Sequence, residues 1–201
     1  MTFTDSPPNV TLDGVHELDD RNRQREVGRS RQRTPRPTHY QLDVVGAHAA
    51  DVVSAAGGWL FDRVMAGWDV RVAVADTGDL AALTILGVQP VALTTVCGGT
   101  GAPTALAVAG PLCAAVDQVR ETLAASVRSA RAEVTVWGDL RLPSVGRAGS
   151  EVRHELSAAA RVFKAQAAVA AGLDPAVGSF EAFRSYGQPA PTEYRDLLPV
   201  G

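Results

Sequence analysis

The chain has 201 residues, 46% of them hydrophobic and 5% aromatic, with a formal net charge of −3 and a mean hydropathy near zero. This suits one globular domain with a core of Ala, Val and Leu plus a tail, and it excludes a membrane-spanning chain, because no run approaches the roughly 20 apolar residues a span needs. The charge is uneven: residues 21–37 carry seven arginines and one glutamate, a local +6, while residues 39–201 carry twelve basic and sixteen acidic residues, −4, which excludes a broad nucleic-acid footprint on the folded part.

Residues 1–38 lack apolar periodicity and are rich in Pro, Asp, Arg, Asn and Gln, so a disordered tail is expected. The arginines from Arg21 to Arg36 offer a surface to nucleic acid or an acidic partner. The plainer expectation is a solvated tail, since no aromatic residues interleave with them. The opening MTFTDSPPNV has no basic stretch followed by an apolar one, so no secretory signal is expected and the location is expected to be cytoplasmic. Cys97 and Cys113 have no zinc-type spacing and read as reduced, buried thiols.

Folded structure is expected over residues 39–187. Residues 39–45 read as a first strand ending at Gly46, followed by a helix to about Ala66 whose stripe is Val53, Ala56, Leu60 and Val64. Gly57-Gly58 inside it costs about 1 kcal/mol per glycine relative to alanine, a sign of close packing against the sheet or a ligand. Residues 69–75 read as a second strand, 80–86 as a short helix closed by Gly87, and 91–96 as a third strand. The glycine-rich CGGTG at 97–101 follows; it lacks the lysine of a phosphate-binding loop and reads more simply as a turn.

Pro111 suits the first position of a helix with Leu112, Val116, Val119, Leu123 and Val127 inward. A fourth strand is expected at 132–137 and a Pro/Gly loop at 139–149. Ser150 is expected to cap a last long helix in which Val152, Leu156, Ala159, Phe163 and Ala167 face inward, ending at Gly172. Residues 188–201 read as an irregular tail. This alternation predicts an α/β fold, a Rossmann-like, mostly parallel sheet flanked by helices in three layers. Ligands of such sheets collect at the carboxyl ends of the strands. The expected cleft residues are Gly46, His48, Asp51, Asp76, Cys97 and Gly98.

The segment Gly46-Ala47-His48-Ala49-Ala50-Asp51, with Gly57-Gly58 a few residues on, resembles the first motif of the PIG-L (LmbE-like) zinc-dependent N-deacetylases, usually G-A-H-P-D-D-E followed by G-G. MAGWDVRVAVAD, LAALTILGVQPVAL and FEAFRSYG look like later segments of that family, in the same order. The resemblance implies that His48 and Asp51 stand at zinc-ligand positions, that a later histidine completes the set, and that Ala50 stands where the family has its general base. Ala49 replaces the proline and Val52 the usual acid.

The family's H-P-D-H segment is absent as such. The candidate with the right context is Glu151-Val152-Arg153-His154, which maps His154 onto the third ligand position. On the expected helix His154 would lie about 200° from Val152 and face away from the core. Family members are usually longer between the fourth strand and the last helix, so the substrate pocket is expected to be truncated or completed by a partner. The resulting expectation is a catalytically degenerate relative, without cofactor, that acts by binding, regulation or assembly with a protein partner or with itself. The alternative is a zinc-dependent hydrolase of N-acetyl sugars or related amides, with Glu151 or Asp139 replacing the base.

Overall fold

The computed structural model of the protein describes residues 40–99, 103–139, 149–186 and 196–200, all within the unit His39–Gly201. The arginine-rich segment, the expected loop at 140–148 and most of the expected C-terminal tail lie outside the described residues.

Five strands form the parallel part of one sheet: β1 (Gln41–Gly46), β2 (Asp69–Val74), β3 (Gln89–Pro90), β4 (Ala105–Ala109) and β5 (Glu133–Trp137). Three more extend it: β6 (Ser150–Glu155), β7 (Phe180–Ser185) and β8 (Leu198–Pro199). The order across the sheet is β3-β2-β1-β4-β5-β7-β6-β8, with β7 antiparallel to both β5 and β6, and β8 antiparallel to β6. β4 and β5 are buried at every residue, being covered on both faces; β4 is apolar throughout, as such strands usually are, while β5 carries the buried Glu133 and Thr135.

The helices are α1 (Ala49–Met65), α2 (Ala81–Ile85), α3 (Leu93–Cys97), α4 (Gly110–Ala115), α5 (Asp117–Ser129) and α6 (Ala158–Ala170). α1, α2 and α6 pack together, as do α3, α4 and α5. Among the described residues no helix is long and apolar enough to cross a membrane. The three-layer α/β fold read from the alternation is the one observed.

Several expected elements change identity. Residues 91–96, expected as the third strand, follow the two-residue β3 and run into α3, and the third full parallel strand is β4, the ALAVA segment at 105–109. A five-residue apolar run carries no periodicity that separates strand from helix. The helix expected after Pro111 breaks at Val116, whose φ of −128° and ψ of 108° are extended, so two helices meet there.

The largest change is at 150–155. Ser150 caps no helix: the segment is β6, with alternating burial, and the last helix starts after Ser157, whose hydroxyl accepts from the Ala160 amide at 3.0 Å. His154 is therefore buried at 6% exposure, while Ala159 and Phe163, expected inside, are exposed. Period two in Val152 and His154 and period four in Val152 and Leu156 coexist in this stretch, and pairing with β7 decides between them. Residues 196–200, read as irregular, include β8 and the partly buried Asp196.

Gly58 explains part of the glycine pair. A Cβ there would stand 2.2 Å from Leu156 Cδ2, so only a glycine lets the residue that follows β6 close onto α1. Farther along α1, Arg63 is buried between the Trp59 and Trp68 rings and donates to Glu133 at 3.0 Å and to both carboxylate oxygens of Asp196. These bonds tie the C-terminal segment to the core.

Candidate binding cleft at the sheet reversal

From β1 the chain builds one half of the sheet through β2 and β3, then crosses to β4 on the other side. The carboxyl ends of β1 and β4 are therefore the point where the strand order reverses and the following connections diverge, leaving a crevice. A cleft of about 350 Å³ lies there, lined by Ala47, His48, Ala50, Asp51, Ala109 and Pro111 among others. Three of the expected residues share this corner: His48 and Asp51 on its wall, and Gly46 beneath it. A Cβ on Gly46 would stand 2.3 Å from Val52 Cγ2, so the glycine permits the tight exit from β1 into α1.

The polar atoms of the corner are already engaged in folding the helix start. His48 is the N-cap of α1, with φ −152° and ψ 167°, and its Nδ1 accepts from the Asp51 amide at 3.0 Å. Asp51 returns the interaction: Oδ2 accepts from the Ala47 amide at 3.1 Å and Oδ1 from Trp137 Nε1 at 3.2 Å. This is a reciprocal cap of the first turn, with histidine in the place of the usual serine or threonine. The Nδ1 lone pair is therefore engaged by the backbone of its own helix start.

His154 is not brought to this corner. Its Nε2 lies 2.8 Å from Asp62 Oδ2 and its Nδ1 lies 3.2 Å from the Asp196 carbonyl oxygen, so both ring nitrogens face acceptors. Asp62 is eleven residues beyond Asp51 on α1, roughly 16 Å along the helix axis. Among the described residues no three His, Cys, Asp or Glu side chains come together as a metal site requires. Two ligand positions committed to capping and a third candidate on another part of α1 do not fit a zinc site in this arrangement.

The other expected residues scatter. Asp76 is exposed; its amide donates to the Ala47 carbonyl, but its carboxylate accepts from the Gly78 amide in its own turn. Cys97 lines a different cleft, with Pro103, Thr122 and Ala132, at the amino ends of β4 and β5. Cys97 and Gly98 therefore stand at the end of the sheet opposite His48, because the segment before them is α3 and not a strand. Glu151 projects from the open face of β6, 3.4 Å from Arg184, and does not line the His48 cleft.

A second cleft, of about 590 Å³, shares Ser54 and Leu173 with the first and continues between α1, α6 and the start of β7. Lys164 and Glu181 line it. Lys164 Nζ donates to Glu181 Oε1 at 2.6 Å and to the Ser54 carbonyl at 2.7 Å, and Glu181 accepts from the amides of Gly58 and Trp59. Neither residue of this pair belongs to the corner that the resemblance marks. Two signals carry it: Lys164 is the lone lysine among nineteen basic residues, and Phe-Glu-Ala-Phe at 180–183 alternates, which puts Glu181 on the covered face of β7.

No family model matches this sequence, and no curated protein matches it either. Solved structures match in fold. A deacetylase in the biosynthesis pathway of teicoplanin, crystallised in complex with teicoplanin, aligns with a TM-score of 0.51 at 13% identity, over 80% of this chain and 98% of that one. The deacetylase of the antimicrobial A40926 pseudoaglycone aligns with a TM-score of 0.51 at 17% identity, over 73% of this chain and 98% of that one. At these identities the likeness is one of fold: the chain shares the fold of the PIG-L (LmbE-like) N-deacetylases, as its first corner suggests.

Proposed function

We propose that this protein is a binding protein on the N-deacetylase fold, taking its ligand in the cleft at the sheet reversal and not hydrolysing it. The observation that carries this reading is the corner itself. Ala50 lines the cleft where the resembled motif has its base, and a methyl group accepts no proton. Positioned general-base catalysis is worth about 10²–10⁴-fold, and no carboxylate outside the capping pair lines that cleft among the described residues. His48 and Asp51 serve the helix start. Binding with regulation or assembly, through a protein partner or a second copy, is the role left to such a cleft.

The second reading is a metal-dependent amide hydrolase, favoured by the deacetylase names of both fold neighbours. One experiment separates the two: metal analysis of protein purified without chelator, together with release of acetate from N-acetyl sugars in the presence of added zinc. The binding reading expects less than stoichiometric metal and no turnover. Turnover that disappears in His48→Ala overturns it.

A further inference from the structure

α6 has two apolar sides. Ala160, Ala167 and Ala168 are buried against the molecule. On the other side Ala159, Val162, Phe163, Gln166, Val169 and Ala170 are exposed, and their i, i+3, i+4, i+7 spacing makes a second stripe along the helix. Exposure is 60% at Val162, 58% at Val169 and 43% at Phe163. The stripe continues onto α1. Asp62 of α1 accepts from the Ser157 hydroxyl at the start of α6, while Lys164 farther along α6 reaches back to the Ser54 carbonyl, so the two helices run antiparallel. Phe61 stacks on Phe163 with ring centroids 4.5 Å apart, and Met65, one turn beyond Phe61, is 70% exposed. Single exposed apolar side chains are ordinary on a protein surface, but a contiguous set marks an interaction face.

The charges of the helix narrow what fits. α6 carries Arg161 and Lys164 and no acid. Lys164 is held by Glu181, and Arg161 lies about 140° around the helix from Gln166, so the stripe itself is uncharged. A lipid surface is met by helices with a strongly basic polar face, and a nucleic acid by a basic patch; α6 offers neither. A second copy of the same stripe docks without like-charge repulsion. Gln166 stands at the middle of the stripe and is its one polar side chain. Its amide both donates and accepts, so two Gln166 side chains related by a two-fold axis satisfy each other, whereas an apolar partner would bury the amide unpaired.

We propose that this face is the interface of a symmetric dimer, in which α6 packs antiparallel on α6 of a second copy with Gln166 at the two-fold axis. Val162 then meets the partner's Ala170, and Phe163 the partner's Val169, so each large side chain faces a smaller one. Antiparallel packing also sets the start of one helix against the end of the other, which suits their macrodipoles. A standard interface covers about 800 Å² per partner. A helix of 13 residues, about 20 Å long, with the end of α1 beside it is a smaller face, so dissociation is expected in the micromolar range. The proposal does not rest on the binding reading above, since no residue of α6 lines the cleft at the sheet reversal.

Sedimentation velocity of the full chain over about 1–200 µM tests this. The mass is expected to rise with concentration from 21.0 kDa toward twice that value. Val162→Glu and Ala170→Arg are each expected to weaken self-association about tenfold or more, because each buries a charge against an apolar side chain. An equimolar mixture of the two variants is expected to regain most of the loss, since the introduced acid and base then face each other across the interface. Circular dichroism and thermal melting check their folds; if either does not fold, Gln166→Lys, which sets two like charges at the axis, reads the same interface. A chain that stays at 21.0 kDa throughout overturns the proposal, whether or not it then binds lipid vesicles. Self-association that the substitutions leave unchanged, or that the mixture fails to restore, overturns it as well.

Discussion

Lys164 Nζ and Glu181 Oε1 lie 2.6 Å apart, and between them they hold the two backbone groups that an α-helix pairs with each other: the Ser54 carbonyl and the Gly58 amide. The pair comes from α6 and β7, so it joins three elements at the glycine pair of α1. Gly57-Gly58 weakens the helix locally, and the ion pair supports it from outside. Both side chains are nearly buried, at 12% and 4% exposure. Removing one partner of such a pair leaves the other charge uncompensated. Glu181→Ala is expected to destabilise the fold by about 3–5 kcal/mol, while a double variant Lys164→Met/Glu181→Leu loses less than the sum of the single changes. Urea denaturation of the four proteins in a double-mutant cycle reads this directly.

Gly58 is a packing residue. Gly58→Ala improves helix propensity by about 1 kcal/mol, yet its Cβ meets Leu156 Cδ2 at 2.2 Å. Overpacking of this kind costs about 1–3 kcal/mol, so the net change is expected to be destabilising. Adding Leu156→Ala relieves the clash, and the double variant is expected to be less destabilised than the two single costs predict. Thermal or denaturant unfolding checks both signs.

His48 contributes through the cap. His48→Ala is expected to cost about 0.5–2 kcal/mol, the range for loss of an N-cap side chain, and His48→Asn to restore most of it. Zinc in the millimolar range is expected to leave the melting temperature of the wild type unchanged. A zinc-dependent rise present in the wild type and lost in His48→Ala would return this corner to metal binding.

Cys113 gives the alkaline limit. Burial pushes its thiol up from 9.0 to about 11, with Arg120 opposing weakly. A thiol held protonated in the folded state contributes stability that is intact below its unfolded value, 9.0. That contribution is lost as pH rises from there toward about 11, because the unfolded chain ionises first. Stability is therefore expected to fall over this window, and less steeply in Cys113→Ala. Burial also raises the Cys97 thiol, which lies at a cleft, so a thiol reagent near neutral pH is expected to label Cys97 before Cys113.

The first corner was legible in the sequence because it is local. The strand ending at Gly46 and the helix that follows it are specified by residues close together in the chain, and the structure adds the His48–Asp51 cap that joins them, at positions the resemblance assigns to zinc. β1, β2 and β5 were legible for a related reason, since buried strands read as largely apolar runs, whereas the equally apolar β4 carries no periodicity that marks it as a strand. Both follow from the order of residue types along the chain.

The fate of residues 150–155 was decided by tertiary contact. Val152, His154 and Leu156 satisfy a strand and a helix pattern at once, and the ladder with β7 made the segment a strand. That choice moved His154 from an expected exposed helix face into a buried bond with Asp62, and separated it from His48. Likewise Lys164, Glu181 and Asp196 acquire their roles only through partners far away in sequence. What the sequence determined about this protein is its α/β alternation and the strand-to-helix corner after Gly46. The tertiary structure alone decided which polar groups meet, because a buried charge or an unpaired amide is settled by the element that packs beside it, and neighbours along the chain do not name that element.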